Sequence, residues 1–495
     1  MKIYKKSFLL VLGLIVAASA ALSYVGSGNS VLAQFLSSNT AVKPPMAPQT
    51  DPVAIQPNPV PVQADWVTVH ANPVQDKVLK GSDGQVSLSL SLEAAEIPPS
   101  DHRPVQHADL VLVLDRSGSM EGQKLSDAKE AVMQLIDRMT TDDRLGIHLY
   151  SNGVSTLCPL SAMDEAHRRQ LKAAVARVSA DGGTNLGGGL KQGIQTLMQT
   201  TPANSRQRRV ILISDGQANQ GIIDPRELGN MAAGAAEQNV AVSTVGVGYD
   251  FNELLMTTLA DHGAGRYYFL EDPKRFAQVF EKEFQDTRNV AASGLEIRVP
   301  LEKGIRLVNA GGYPIQVKDG EAVIHPGDLL SGRQRTLFLT FQVPTDRERE
   351  FTLGEFQVRF HRNGAVHDMA VPRRINLSCV KDPREVMASI DAPAWSAQVV
   401  QEDYSQLKEV VADAIVKGEK DKAMEEIREY ETRNRAINET VGSAVVAENL
   451  KTDVQALRQS VENTFAGPPA AVAEKKKQSS KALQYESYQI RRDKK

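Results

Sequence analysis

The sequence predicts an α/β fold in which a doubly wound, mostly parallel sheet is inserted in or flanked by an antiparallel β-sandwich and followed by a C-terminal helical hairpin or bundle. Three patterns support this prediction. In the middle of the chain, apolar runs typical of buried strands alternate with amphipathic helical segments. On both sides of this region, short segments alternate apolar and polar residues, as half-buried strands do. Near the carboxyl terminus, apolar residues recur at helical spacing.

The α/β region spans residues 107–288. Its strands are predicted near 109–114, 144–151, 209–214, 239–247 and 265–270, and its helices near 122–139, 164–179, 186–200, 225–238, 252–261 and 273–287. Strands that alternate with helices form parallel sheets, and such sheets bind ligands beyond the carboxyl ends of their strands. Residues that follow these strands are therefore the first candidates for a functional site.

The two flanking β segments are 65–106 and 289–380. The first alternates most clearly from Val86 to Leu92, and the second contains several such segments without a helical pattern between them. Two strands alone are only marginally stable in water. We therefore expect the first segment to pair with the second, so that the α/β domain is inserted into the sandwich. Separate packing of the first segment on the α/β domain is the alternative.

Helical spacing marks residues 390–465, where Gly418 separates two helices. These helices are interpreted either as an arm for docking or oligomerisation, or as a small bundle packed against the sandwich. Residues 466–495 hold eight Lys or Arg against three acidic residues. This composition predicts a disordered, basic and solvated tail, although such a tail could also touch an anionic surface.

The amino-terminal residues 1–34 have the form of an export signal, because basic residues precede an apolar stretch from Phe8 to Val25. Small residues favour cleavage after Ala20 or Ala33. The stretch is also nearly long enough to span a bilayer, so an uncleaved signal anchor is the alternative. Either form predicts an exported protein in the periplasm, in the cell envelope or outside the cell. The proline-rich residues 35–64 are expected to act as a linker.

Composition narrows the function classes. A net charge of -3 gives no electrostatic argument for nucleic-acid binding, and an aromatic content of 5% argues against a carbohydrate-stacking surface. The chain contains no phosphate-binding P-loop, no Gly-x-Ser-x-Gly and no His-Glu-x-x-His. Its two cysteines, Cys158 and Cys379, lie in different predicted domains, and two free thiols are favoured over a disulfide.

Polar oxygen-bearing side chains cluster in three segments of the α/β region. Asp115, Ser117 and Ser119 directly follow a buried strand, Thr184 precedes a helical pattern, and Asp215 follows another apolar strand. Because the carboxyl ends of parallel strands share one edge of the sheet, these segments are expected to meet there. Carboxylate and hydroxyl oxygens are the ligands that hard cations prefer. The sequence therefore predicts a site for a hard divalent cation.

This constellation resembles the metal-ion-dependent adhesion site of the von Willebrand factor type A domain, in which Asp-x-Ser-x-Ser, Thr and Asp come from three loops. The resemblance covers the whole α/β region and implies a Rossmann-like fold with a bound Mg²⁺, for which Mn²⁺ or Ca²⁺ could substitute. It further implies that Ser117 and Ser119 touch the metal directly. Thr184 would do so directly or through water, and Asp115 and Asp215 would act largely through waters.

The order of the segments is similar to that of bacterial secreted type A proteins related to the inter-alpha-trypsin inhibitor heavy chains and the calcium-activated chloride channel-like proteins. The type A region carries this resemblance by its motifs, whereas the flanking segments match in architecture. Channel activity is not implied.

We expect the site to bind rather than to catalyse. A cation contacted by few carboxylates keeps much of its charge, and an Asp or Glu of a partner protein can fill its open position. Hydrolysis would also need a base and a group that stabilises the electrophile, and no obvious candidates for these roles stand out. The leading hypothesis is therefore a non-enzymatic, exported adhesion or scaffold module whose metal bridges to a partner protein. The helix near 273–287 would be a lever if the loops change state.

An envelope assembly factor is the alternative hypothesis. Such a protein would act through its helical arm or β-sandwich, and the metal would only stabilise the fold. In both hypotheses nucleic acid is not a partner, and the membrane is contacted only if the amino-terminal anchor is retained. The oligomeric state is left open.

Overall fold

The computed structural model describes residues 62–64, 66–96, 107–200, 206–362, 364–371 and 374–492. The predicted signal or anchor and nearly all of the predicted linker lie outside the described residues. None of the described helices combines the length and the apolar composition needed to cross a membrane.

The amino-terminal β segment forms the first four strands, which are β1 (Val62–Ala64), β2 (Val67–Pro73), β3 (Lys77–Leu79) and β4 (Gln85–Ala94). Strand β1 occupies the last residues of the predicted linker and pairs with β2. Along β4, apolar residues are buried at every second position, because successive side chains of a strand point to opposite faces.

The α/β domain follows. Its strands are β5 (His107–Asp115), β6 (Arg144–Tyr150), β7 (Val154–Ala162), β8 (Arg206–Ser214), β9 (Val240–Val247) and β10 (Ala264–Leu270). Its α-helices are α1 (Gln123–Arg138), α2 (Glu165–Ala176), α3 (Leu186–Met198), α4 (Pro225–Ala236), α5 (Glu253–His262) and α6 (Phe276–Arg288). These elements confirm the predicted doubly wound α/β fold.

The strands of this domain form one sheet in the order β10-β9-β8-β5-β6-β7, with parallel neighbours except for the antiparallel edge strand β7. The sequence pattern did not predict β7. This strand contains Pro159 and is only partly buried, so it shows neither the apolar run of a central strand nor a clean alternation.

Helices cover both faces of this sheet, which explains the unbroken apolar runs. In β5 the neighbours Val111 and Leu112 are both fully buried, yet they belong to different core layers. Leu112 packs in the layer of α1 and α6, and Val111 packs in the layer of α3, α4 and α5. A strand buried on both faces has no place for alternating polar residues.

The chain then forms the rest of the sandwich. Its strands are β11 (Val290–Pro300), β12 (Arg306–Ala310), β13 (Gln316–Lys318), β14 (Glu321–Leu330), β15 (Gln334–Gln342), β16 (Arg349–Leu353), β17 (Phe356–Arg362), β18 (Ala365–Val371) and β19 (Ile375–Val380). The sheets run β1-β2-β4-β15-β12, β13-β14-β11-β17-β18 and β16-β19-β3, and buried residues from all of them share one core.

Strand β4 pairs with β15 along its whole length, with Leu90 opposite Leu337 and Ser91 opposite Thr336. The hydroxyls of Ser91 and Thr336 lie 2.8 Å apart. Since β4 precedes the α/β domain and β11 follows it, the domain is inserted between strands that belong to one sandwich. The α/β domain rejoins the sandwich directly, because α6 ends at Arg288 and β11 begins at Val290.

Helices form the last part of the described chain. They are α7 (Pro383–Ala388), α8 (Ala392–Gln398), α9 (Tyr404–Lys417), α10 (Lys420–Val441), α11 (Ala444–Glu448), α12 (Val454–Thr464) and α13 (Pro469–Arg492), and short π-helical segments at Val399–Asp403 and Asn449–Asp453 join α8 to α9 and α11 to α12. Gly418 ends α9 in the left-handed conformation expected of a helix-terminating glycine. These helices share one core and confirm the predicted bundle.

The prediction of a disordered basic tail was wrong, because residues 469–492 form α13. Leu483 and Tyr488 are buried, and the Tyr488 hydroxyl accepts a hydrogen bond of 2.9 Å from the Tyr267 amide of β10. Basic side chains pair with carboxylates of other elements, as Arg492 does with Asp261 at 2.7 Å. The prediction rested on the net charge of the segment. Net charge does not show which acidic groups of other elements face the segment in the folded chain.

Cys158 in β7 and Cys379 in β19 are both buried and free. They lie in different domains, as the sequence predicted. Burial raises the pKa of both thiols, so they are protonated at neutral pH.

Candidate metal centre

The candidate site lies at the carboxyl ends of β5 and β8. Strand β6 lies on one side of β5 and β8 on the other, so the direction of winding reverses at this point. Such a switch point leaves a crevice that is the usual ligand site of an open α/β sheet. The segments that meet here are the loops after β5 and β8 and the loop before α3.

Backbone hydrogen bonds hold the three loops together. The Gly118 amide donates to Gly182 O at 3.0 Å, and the Asp181 amide donates to Arg116 O at 2.7 Å, so the loop after β5 is fixed to the loop before α3. The Asn219 amide donates to Thr184 O at 3.2 Å and joins the third loop to them. The side chains of the site therefore rest on a closed set of backbone contacts.

Asp115 ends β5 and is fully buried. Its Oδ1 accepts from the Ser117 amide at 2.8 Å, which is an Asx turn, and its Oδ2 accepts from Ser214 Oγ at 3.1 Å. The turn carries the chain off the sheet edge and places Ser117 Oγ 3.1 Å from Ser119 Oγ. The spacing of the acid and the two hydroxyls thus brings all three groups to one side of the loop.

Asp215 follows β8 and is 1% exposed. Its Oδ1 accepts from Ser119 Oγ at 2.7 Å, and its Oδ2 accepts from Lys124 Nζ at 2.6 Å. Ser119 is exposed. Hydrogen bonds therefore connect Asp215 to the hydroxyl pair across two loops, and the outer hydroxyl of that pair faces solvent.

Thr184 is 4% exposed and is held by Asn219. Its amide donates to Asn219 Oδ1 at 2.9 Å, and the preceding amide, of Gly183, donates to Asn152 Oδ1 at 2.7 Å. A methyl group on Gly216 would lie 3.5 Å from Ser119 Oγ and 3.7 Å from Thr184 Oγ1. The hydroxyls of Ser119 and Thr184 thus both border the small space over Gly216.

Negative charge is concentrated in this site. Burial raises the pKa of Asp115, and the charge of nearby Asp215 also raises it, whereas the hydrogen bonds from Ser117 and Ser214 act in the opposite direction. In the described part of the chain both hydrogen-bond donors to Asp115 are neutral groups. A cation close to both carboxylates would offset the cost of burying them.

The residues present fit a hard divalent cation. They are two carboxylates and three hydroxyls, contributed by Asp115, Ser117, Ser119, Thr184 and Asp215, and oxygen ligands of this kind suit Mg²⁺, Mn²⁺ and Ca²⁺. The described residues contain no group of three or more His, Cys, Asp or Glu side chains placed to hold a metal. The site differs from such clusters because most of its oxygens come from hydroxyls.

All five residues predicted from the sequence thus lie around one point. Sequence reasoning did not single out Lys124, Ser214, Asn152 or Asn219. Ser214 directly precedes Asp215, and Lys124 follows the Asp-x-Ser-x-Ser segment within the first helical turn, so their positions gave a weak signal. Asn152 and Asn219 act on a loop distant in sequence, and no local pattern could indicate them.

Two acidic residues, Glu121 and Asp181, lie near the motifs in the sequence. Both are exposed, and the contacts described above involve the Asp181 amide and not its carboxylate. Two glycines of α3, Gly189 and Gly193, allow close packing on the sheet. A Cβ on Gly193 would lie 2.5 Å from Val113 Cγ2, and one on Gly189 would lie 2.8 Å from the Tyr150 ring.

The α/β domain that carries this site resembles known proteins in sequence. Residues 109–282 match the family model of the von Willebrand factor type A domain. A protein of Synechocystis sp. is 27% identical over 52% of this chain and 63% of its own length. Inter-alpha-trypsin inhibitor heavy chain H3 of Mesocricetus auratus is 28% identical over 43% of this chain and 24% of its own length. The chain thus spans less than two thirds of either relative.

Solved structures match over a larger part of the chain. A von Willebrand factor type A protein from Catenulispora acidiphila aligns with a TM-score of 0.65 at 18% identity, over 86% of this chain and 98% of the other. The ArnB paralog VWA2 from Sulfolobus acidocaldarius aligns with a TM-score of 0.51 at 17% identity, over 85% of this chain and 99% of the other. At these identities the likeness concerns the fold, and it extends beyond the α/β domain.

Proposed function

Because residues 109–282 form a von Willebrand factor type A domain, we propose that the protein is a metal-dependent binding module. Domains of this family commonly mediate metal-dependent protein interactions. In this proposal a divalent cation, Mg²⁺ or in its place Mn²⁺ or Ca²⁺, is held by Asp115, Ser117, Ser119, Thr184 and Asp215. The cation bridges the domain to an Asp or Glu side chain of a partner protein.

One observation carries the proposal. The two carboxylates of the site are buried and hydrogen-bonded within the protein, whereas Ser119 is exposed. A cation held here would have protein oxygens on its inner side and solvent on its outer side. An anionic side chain from outside could then replace a water on that outer side.

Each residue has a distinct task in this arrangement. The bound cation would supply the positive charge that attracts a carboxylate. Ser117 and Ser119 offer neutral oxygens, so they bind the cation without reducing its charge. Asp115 and Asp215 hold the hydroxyls in place through the Ser117 amide and Ser119 Oγ. Asn219 holds the Thr184 backbone, and this fixes the hydroxyl of the third loop.

The proposal includes export of the protein from the cytoplasm. The apolar stretch from Phe8 to Val25 after a basic amino terminus is the form of a secretory signal or signal anchor. We place the domain in the periplasm, in the cell envelope or outside the cell, separated from the signal by the proline-rich linker. The partner in this proposal is consequently an exported protein.

Affinity capture tests this function. The full chain, used as bait in an envelope extract, should retain a partner that is released by EDTA and regained with Mg²⁺. The Asp115→Ala variant should capture no partner in either condition. Capture that persists in EDTA and in Asp115→Ala would contradict the proposal and would favour an assembly factor that acts through its helical bundle or sandwich.

A further inference from the structure

Lys124 is a cationic residue inside the candidate metal centre. It is the second residue of α1, and its Nζ lies 2.6 Å from Asp215 Oδ2 and 3.4 Å from Ser119 O. The Asp215 side chain is fully buried in this pair, whereas the Lys124 side chain is 31% exposed. The ammonium group thus reaches the buried carboxylate from the solvent side.

The surroundings of Lys124 leave room for the side chain. It lies beside Gly248, in the loop after β9, where a Cβ would be 3.7 Å from both Lys124 Cε and Nζ. Gly248 has a positive φ of 72°, a conformation that glycine adopts without strain. Because one side of Lys124 faces solvent and the other faces a residue without a side chain, it can leave Asp215 without disturbing the core.

Both oxygens of Asp215 are engaged, Oδ1 by Ser119 Oγ and Oδ2 by Lys124 Nζ. A divalent cation among the five residues would be within a few ångströms of the same carboxylate. Two positive charges at that distance repel each other, and the repulsion is weakly screened in a partly buried site. The cation and the ammonium group would therefore oppose each other at Asp215.

We propose that Lys124 is an internal competitor of the metal, which neutralises Asp215 in the metal-free protein and sets the cation concentration at which the site is loaded. This inference rests on the proposed function, since it requires that the five residues bind a metal. It adds a control element that belongs to this chain. Loading of the site requires the cation to displace Lys124 or to bind against its charge.

Calorimetric titration with Mg²⁺ tests the inference. Lys124→Met, which keeps the length of the side chain and removes its charge, should bind Mg²⁺ about tenfold more tightly than the wild type. Lys124→Arg, which keeps the charge and can grip a carboxylate with two donors, should bind Mg²⁺ more weakly. Lys172→Met is the matched control, because it also removes one charge and its partner Asp137 lies at the far end of α1.

A second readout does not depend on metal binding. In EDTA, Lys124→Met should melt at a lower temperature than the wild type, because Asp115 and Asp215 lose the nearby positive charge. In saturating Mg²⁺ this difference should shrink or vanish. If the wild type binds Mg²⁺ and Lys124→Met binds it equally or more weakly, the inference is wrong and the proposed function stands. If the wild type binds none of Mg²⁺, Mn²⁺ and Ca²⁺, both are wrong.

Discussion

Asn219 shows how a residue without a metal-binding role can determine the geometry of a metal site. Its side-chain oxygen accepts a hydrogen bond from the Thr184 backbone amide, and its backbone amide donates to the Thr184 carbonyl. These two hydrogen bonds join the loop that contains Thr184 to the loop that contains Asn219. The position of the Thr184 hydroxyl therefore depends on a side chain that lies outside the metal-binding motif.

At the residue scale, the sequence predicted the side chains that would bind the metal better than the side chains that hold the loops in place. Asp115, Ser117 and Ser119 could be recognised because three oxygen donors at every second position follow a buried strand. Asn152 and Asn219 could not, because exposed amides in loops are common and their partners are distant in sequence. Lys124 belongs to neither class, since a lysine in a first helical turn usually faces solvent.

Glu253 at the start of α5 leads to a prediction of pH dependence. It is 4% exposed, accepts from the Tyr267 hydroxyl at 2.8 Å and lies 3.4 Å from Lys481 of α13. Burial raises the pKa of Glu253 from 4.5 to about 7, although Lys481 and Tyr267 lower it, and Glu409 raises it slightly. Between these two pKa values the folded chain binds more protons than the unfolded chain, so stability falls as pH rises.

Ionisation of Glu253 is expected to lower the free energy of unfolding by about 2 kcal/mol between pH 5 and pH 7.5. Glu253→Gln cannot ionise and should remove this part of the pH dependence. Melting temperatures of both proteins at the two pH values provide the measurement. Parallel pH profiles of wild type and variant would show that Glu253 does not titrate in this range.

At the element scale, α3 combines low helix propensity with very close packing. Gly193 lies against β5, where its missing Cβ would be 2.5 Å from Val113 Cγ2. The four glycines of α3, at positions 187, 188, 189 and 193, cost intrinsic stability. Two of them, Gly189 and Gly193, let the helix approach the sheet, because a Cβ at either position would meet side chains of its strands. Close packing on the sheet therefore explains the glycine at position 193.

A pair of glycine substitutions tests this account. Gly193→Ala should destabilise the α/β domain by about 1–3 kcal/mol, because the clash with Val113 outweighs the higher helix propensity of alanine. Gly234→Ala in α4 is the matched control, since no atom lies within 4 Å of the Cβ that it would add. The control should be neutral or stabilised by up to about 1 kcal/mol. Urea unfolding measures both, and equal effects at the two positions would contradict the packing explanation.

Helix α6 was expected to act as a lever if the loops change state. Its Glu283 is fully buried and accepts from Arg209 Nη1 at 3.0 Å, from Ser243 Oγ at 2.7 Å and from the Tyr268 hydroxyl at 2.6 Å. These partners lie on three neighbouring strands, β8, β9 and β10. Sliding of α6 along the sheet would break this buried cluster, so the structure opposes such a movement.

At the scale of the whole molecule, α13 joins parts that are distant in sequence. Tyr488 packs edge-on against Tyr267 of the α/β domain with ring centroids 5.4 Å apart, and Lys481 Nζ donates to Phe251 O at 2.9 Å. On its other side, Glu486 pairs with Lys408 of the bundle. The α/β domain is thus attached to the bundle by α13 as well as to the sandwich by its two chain connections.

The architecture was predictable from the sequence only in part. The alternation in β4 predicted a half-buried strand, and the need for a partner sheet predicted its pairing with the second β segment. The order of the strands did not follow from the pattern, because alternation does not specify which strands are neighbours. The composition of the tail predicts disorder because it gives only the charge along the chain. In the fold, Tyr488 and Lys481 of the tail contact residues that precede them by over two hundred positions.

Metal binding itself is the central claim, and titration calorimetry with Mg²⁺ tests it most directly. The wild type should bind one Mg²⁺ per chain, and Asp115→Ala, checked for intact fold by circular dichroism, should bind none. Asp137→Ala is the charge-matched control, since Asp137 is 60% exposed at the far end of α1, and it should bind like the wild type. Unchanged Mg²⁺ binding by Asp115→Ala would contradict the account.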